Sequence, residues 1–133
     1  MAVQSAKYLK IMADAAVDAL DVGAGEPVLN IYDAEDTLIA VFDLDTTAAF
    51  GAATLASPSV ATATGLPIAT TGEAAAGTGT DASYGTLVDG NGDVAVTGSC
   101  GVGSGDIQLD NLSIASGQTV NLTALSWSNV SGT

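Results

Sequence analysis

Histidine and arginine are absent from this chain, and lysine occurs only at positions 7 and 10. The commonest general base, the commonest metal ligand and the bidentate clamp for anions are therefore missing. No enzymatic activity is expected, and no catalytic, cofactor-binding or metal-binding residue is assigned. From Ile11 onward there is no cation to neutralise a phosphate, so nucleic acid is not an expected partner. Fifteen acidic residues against two lysines give a net charge of −13, which also opposes anionic membrane surfaces. The single cysteine, Cys100, leaves no internal disulfide and no multi-cysteine metal site. Within Gly98-Ser99-Cys100-Gly101-Val102 it reads as a small buried apolar residue. No apolar run reaches the roughly 18 residues of a membrane span. Lys7, Lys10 and Asp14 interrupt any apolar stretch near the start, so no secretory signal is read and synthesis in a cytoplasm is expected.

Aromatic residues make up only 5% of the chain although 47% is hydrophobic, so the core must be built mainly from small aliphatic side chains. A mean hydropathy of +0.41 leaves enough apolar surface to collapse. One domain over residues 1–133 is expected. The pattern is most legible over residues 84–127. There Tyr84-Gly85-Thr86-Leu87-Val88 and Asp93-Val94-Ala95-Val96-Thr97-Gly98 flank the turn Asp89-Gly90-Asn91-Gly92. Asp106-Ile107-Gln108-Leu109-Asp110, Leu112-Ser113-Ile114 and Thr119-Val120-Asn121-Leu122-Thr123 follow, running on to Trp127. Apolar and small polar residues alternate within Gly, Asn and Asp boundaries, which predicts an antiparallel sheet with one wet face.

Residues 3–21 are the one good helix candidate, within an N-terminal segment 1–22. Leu9, Met12, Ala13, Ala16 and Leu20 share one face, and Lys7, Lys10, Asp14, Asp18 and Asp21 the other. Gly23, Gly25 and Pro27 stop it. Such a helix packs on the sheet or docks as an arm on a neighbouring subunit. Val28-Leu29-Asn30-Ile31-Tyr32 and the nearly continuous apolar run from Leu38 to Leu44 read as a hairpin across Asp33-Ala34-Glu35-Asp36. Ile31, Val41, Phe42 and Leu44 are expected in the densest core. Further on, Phe50 to Leu55 and Val60 to Thr64 read as strands, with a loose loop over 68–83. The fold class expected is mainly β, an antiparallel sandwich or Greek key over 27–133 with one N-terminal helix.

Four motifs invite chemical readings. Asp89, Asn91 and Asp93 match the first three ligands of a calcium loop, but Val94 and Cys100 stand where its glycine and bidentate glutamate belong, so a hairpin turn is preferred. Gly101-Val102-Gly103-Ser104-Gly105 lacks the lysine and following helix of a phosphate cradle and reads as a flexible link. Asp43 and Asp45 could face the same way on a strand, as a glycosidase pair would, yet no aromatic platform accompanies them. Asn121-Leu122-Thr123 and Asn129-Val130-Ser131 fit the glycosylation pattern, which carries no meaning without export. Trp127, the only tryptophan, reads as a core or interface anchor.

The block from Ala13 to Gly25, followed by Val28-Leu29-Asn30-Ile31-Tyr32, resembles small virion-associated proteins of tailed double-stranded-DNA bacteriophages. In these a helix with an Ala-Asp-rich end runs through Gly-x-Gly into a Leu-x-Ile-Tyr strand. Ile114-Ala115-Ser116-Gly117-Gln118-Thr119-Val120-Asn121-Leu122-Thr123-Ala124-Leu125 is similar to their closing hairpin. Phe50-Gly51-Ala52-Ala53 and the Asp89 turn also fit. The acidic Asp33–Asp36 turn departs from the Pro-containing loops frequent there. The resemblance implies a capsid cement or decoration protein on the exterior of the virion shell. Its partners would be the major capsid protein and further copies of itself, as a dimer or trimer. A tail or head–tail junction component is the alternative, and a cell-surface adhesion module a more distant one.

Overall fold

The computed structural model of the chain describes residues 5–21, 25–44, 49–56 and 58–129. Helix α1 spans Ala6–Ala19 and lays Leu9, Ala13 and Val17 into the core. The expected stripe is rotated slightly. Met12 is exposed and Val17 is buried, because α1 lies across strands that meet the Ala13–Val17 side. Asp14 on α1 and Asp21 just past its end bond distant main chain. Asp14 Oδ1 accepts the Ala53 N–H at 2.6 Å, and Asp21 Oδ1 accepts that of Ala49 at 3.2 Å. Helix α1 is thus fastened to its own domain.

Ten strands follow: β1 (Val28–Tyr32), β2 (Leu38–Asp43), β3 (Ser59–Thr62), β4 (Ile68–Thr71), β5 (Thr80–Asp81), β6 (Tyr84–Val88), β7 (Val94–Gly101), β8 (Ile107–Leu109), β9 (Ser113–Ile114) and β10 (Thr119–Asn129). The fold is mainly β with one N-terminal helix. A curled sheet runs in the order β2-β1-β6-β7-β8-β10-β3, with β4 also paired to β10. Strands β5 and β9 form a separate two-stranded sheet.

Local sequence explains both tight hairpins. At the β1–β2 turn Asp33 Oδ1 accepts the N–H groups of Glu35 and Thr37 at 3.0 and 2.8 Å, while Asp36 takes a left-handed φ of 65°. Asp is among the residues that tolerate that region. At the β6–β7 turn Asp89 Oδ1 accepts the N–H groups of Asn91 and Asp93, both at 2.9 Å.

The sheet is not purely antiparallel. Strands β7 and β8 pair in parallel, Cys100 with Ile107 and Gly101 with Gln108. A parallel return ordinarily needs a dozen or more residues. Here residues 102–106 suffice because Gly103 and Gly105 adopt φ of 70° and 89°. A Cβ on Gly101 would also lie 2.2 Å from the Ser104 carbonyl oxygen. The glycine run is a tight reversal built on backbone geometry, which corrects its reading as a flexible link.

Two further expectations change. The 68–83 stretch contains β4, a 3-10 turn at Ala74–Ala76 and β5, so it is an ordered part of the domain. Its register on β10, Thr71 with Thr119 through Ile68 with Leu122, comes from far along the chain. Phe50 to Leu55 makes no strand, only a bridge from Phe50 to Ala63. The segment is held instead by the α1 carboxylates and by Gly51 and Thr54 N–H groups donating to Thr62 and Val60.

The core forms one cluster that includes α1, both ends of the sheet and the 49–53 segment. Ile31, Phe42 and Leu44 are buried as expected, while Val41 is half-buried. Alanines 40, 49, 53, 61, 63, 76 and 82 contribute to it, so the layers are thin and few large side chains hold them apart.

Candidate functional site

Strand β8 starts at Ile107, but both of its neighbours run on past that point. On one side β7 continues back from Cys100 to Val94; on the other β10 continues from Leu125 to Asn129. Between these extensions lies a cleft of about 380 Å³. Leu29, Leu87 and Val96 line it from one side, Ile107 and Leu125 from its inner end, and Trp127 from the β10 wall. Register explains the apolar row: Phe42, Leu29, Leu87 and Val96 are successive cross-strand partners and share one face. The row passes from a fully buried Phe42 to Val96 at 44% exposure.

The edge of β7 is bare here. Cys100 N–H donates to the Ser83 carbonyl, and Leu87–Val96 and Gly85–Gly98 are opposed pairs. This alternation turns the N–H and C=O of residues 96 and 98 toward β6 and those of Thr97 away from it, while Ala95 is the extra residue of a bulge where the register shifts between Leu87 and Val88. No strand among the described residues pairs with that outer side before Cys100. Ser99 is covered by Asp106, whose Oδ2 accepts its N–H at 3.2 Å and its hydroxyl at 3.3 Å. Val94, Ala95, Val96 and Thr97 are all exposed, so β7 is wet on both faces, where alternation suggested one.

The residues singled out in the sequence scatter. Asp89 has Oδ1 committed to its own turn. Asp43 is exposed at the end of β2, and Asp45 lies outside the described residues. Cys100 is half-buried and packed on the core, and burial pushes its thiol up to about 11. Trp127 is likewise half-buried on the core and lines the cleft. Among the described residues no three His, Cys, Asp or Glu side chains are grouped as a metal site. No described helix is long and apolar enough to cross a membrane.

A second surface feature is the stacked pair Tyr32–Tyr84, with centroids 5.1 Å apart and planes inclined by 14°. Tyr84 donates its hydroxyl to Asp36 Oδ1 at 2.7 Å. That bond to a carboxylate, reinforced by desolvation, pushes the phenol up to about 12 from 10.0. A folded-state pKa raised this way favours folding fully below pH 10 and loses that contribution as pH climbs toward 12. A tyrosinate absorbance titration, taken as the difference between wild type and Tyr84→Phe, should place Tyr84 ionisation near pH 12. Asp36→Asn should bring it down. A midpoint unchanged by Asp36→Asn would refute the assignment.

Apolar side chains stand bare elsewhere too: Tyr8 and Ile11 on α1, Leu55 in the following segment, and Val102 in the glycine reversal. The cleft differs in combining apolar walls with unpaired main chain. Sequence reasoning missed it because its walls come from β1, β6, β7, β8 and β10, brought together only by the curl of the sheet. Its sole local trace is the brevity of the Ile107–Leu109 run. No family, curated protein or solved structure matches the chain.

Proposed function

We propose that this chain is a non-enzymatic virion structural protein, a cement or decoration protein bound to the outside of a tailed-phage capsid shell. The observation that supports it best is the contrast between charge and bare apolar surface. The chain carries −13, yet it exposes Tyr8, Ile11, Leu55, Val94, Val96 and Val102 on its surface. A subunit of that charge is repelled by packaged DNA, which suits an exterior position. Both lysines lie on α1, and Lys10 is paired with Asp14 at 2.6 Å. Attachment to the major capsid protein and to neighbouring copies then rests on apolar and main-chain contacts, which ordinary interfaces supply. The resemblance of the Ala13–Gly25 block and the closing hairpin points the same way.

Gel densitometry and immuno-electron microscopy of purified virions test the proposal. Copies comparable in number to the major capsid protein, located on the shell, are expected. Labelling confined to the tail would assign the protein to the head–tail junction or tail instead. Shells lacking the protein should lose integrity at lower temperature or lower salt than complete ones, and unchanged resistance would overturn the cement role.

A further inference from the structure

The geometry points to the cleft beside β7 as a docking site for an extended, cationic segment of another protein, which adds a strand along Val94–Gly98. Three observations converge. Thr97 presents an outward N–H and C=O with which no described strand pairs, next to a bulge at Ala95, the main-chain half of a strand-addition site. Beyond Leu125 the opposite wall, β10, has β3 on one side and, among the described residues, no strand on the other. An entering segment is therefore flanked as β8 is flanked further along. Leu87, Val96 and Trp127 supply an apolar seat, and 380 Å³ is at the small end of ligand-sized cavities. It suits one or two side chains, as a peptide presents when alternate residues point to one face.

Charge selects the occupant. Asp106 stands at the end next to β8, with Oδ2 engaged by Ser99 and no bond to Oδ1 among the described residues. Asp89 and Asp93 lie in the β6–β7 turn, just before β7 begins at Val94, outside the cleft lining but on the same edge strand's approach. The only cations of the chain, Lys7 and Lys10, are both on α1. A second copy would bring −13 against −13 and could offer no cationic strand. A segment alternating apolar residues with Lys or Arg meets all three requirements: edge, seat and charge. The inference does not depend on a virion location.

The single tryptophan reports on the site directly. A capped heptapeptide alternating valine with threonine and lysine serves as the probe, with a glutamate-for-lysine version as its counterpart. The expected result is a saturable change in Trp127 emission with the lysine peptide, at least tenfold weaker with the glutamate peptide. Thr97→Pro removes an outward N–H while leaving the β6 pairing intact, and should weaken binding roughly tenfold. Asp106→Asn keeps an acceptor for Ser99 and should weaken only the lysine peptide. Thermal melts and circular dichroism matching wild type show that both variants fold. Equal binding of the two peptides, or undiminished binding to folded Thr97→Pro, overturns the proposal. So does a wild-type dimer in sedimentation that Thr97→Pro dissociates, which would make a second copy the occupant.

Discussion

Replacing Phe42 with alanine is expected to remove about 3–5 kcal/mol of stability, the usual range for emptying a buried aromatic site. Phe42 has no solvent exposure and is the largest of the fully buried side chains. Its surroundings make the upper half of that range the better expectation. The cost depends on how far neighbours can collapse into the void. Here many residues of the same core cluster are alanines, already at minimal size. Phe42 is also the cross-strand partner of Leu29, in the row that leads to the cleft. A domain of this kind has about 5–15 kcal/mol in total, so the variant sits near the edge of folding. Urea unfolding followed by Trp127 fluorescence measures the effect. The midpoint should fall by about 2 M at an unchanged slope. Phe42→Leu, which keeps most of the volume, should cost less than about 2 kcal/mol. A loss below about 1 kcal/mol for Phe42→Ala would mean the site is not a rigid centre of the core.

The parts of the fold that were legible in advance are those whose cause is local. The Asp33–Asp36 and Asp89–Gly92 turns were readable because a carboxylate two or four residues from an N–H acts alone. Helix α1 was readable from its period. Its exact face was not, since Met12 and Val17 both border the apolar stripe and only the docking surface decides between them. The Phe50 to Leu55 stretch misled for a similar reason. Its Ala53 N–H is taken by Asp14, a side chain on α1 39 residues earlier in the chain. Alternation cannot report a bond of that range.

The cleft was invisible for a topological reason. Most of its lining residues, Leu87, Val96 and Ile107 among them, were anticipated as strand residues. What no pattern announces is that β8 runs parallel to β7. Gly103 and Gly105, the residues that make that return possible, look in sequence like any flexible linker. Trp127 was anticipated as a core or interface anchor. It packs on the core from the wall of the cleft.

Gly72→Ala is expected to be the most damaging methyl addition in the chain, because its cause is collision with main chain. A Cβ at Gly72 would lie 2.0 Å from the Ala115 carbonyl oxygen and 2.9 Å from both the Ala115 carbonyl carbon and Ile114 Cγ2. Neither main-chain atom can rotate away as a side-chain tip can. The junction is also crowded with bonds. Gly72 N–H donates to the Gln118 carbonyl at 2.8 Å, Gly117 N–H donates to the Gly72 carbonyl at 3.0 Å, and the next residue, Glu73, donates to Ile39 at 2.8 Å. Relieving the clash needs a displacement of about 1 Å or more, which breaks the first two bonds and strains the third. Each buried bond lost costs about 1 kcal/mol or more, so a total on the order of 3 kcal/mol follows. Gly103→Ala is the proper comparison. Its φ of 70° penalises a side chain, yet nothing stands within 4 Å of the new Cβ. That variant should lose only about 1–2 kcal/mol, the ordinary cost of a left-handed residue. Denaturation of the two side by side separates collision from conformation. Hydrogen exchange should show the Gly72→Ala loss concentrated where β4 meets β10 and at the Ser116–Gln118 turn. If Gly72→Ala proves no worse than Gly103→Ala, the 68–83 stretch is not pinned against residues 114–118, and its description as ordered structure fails with it.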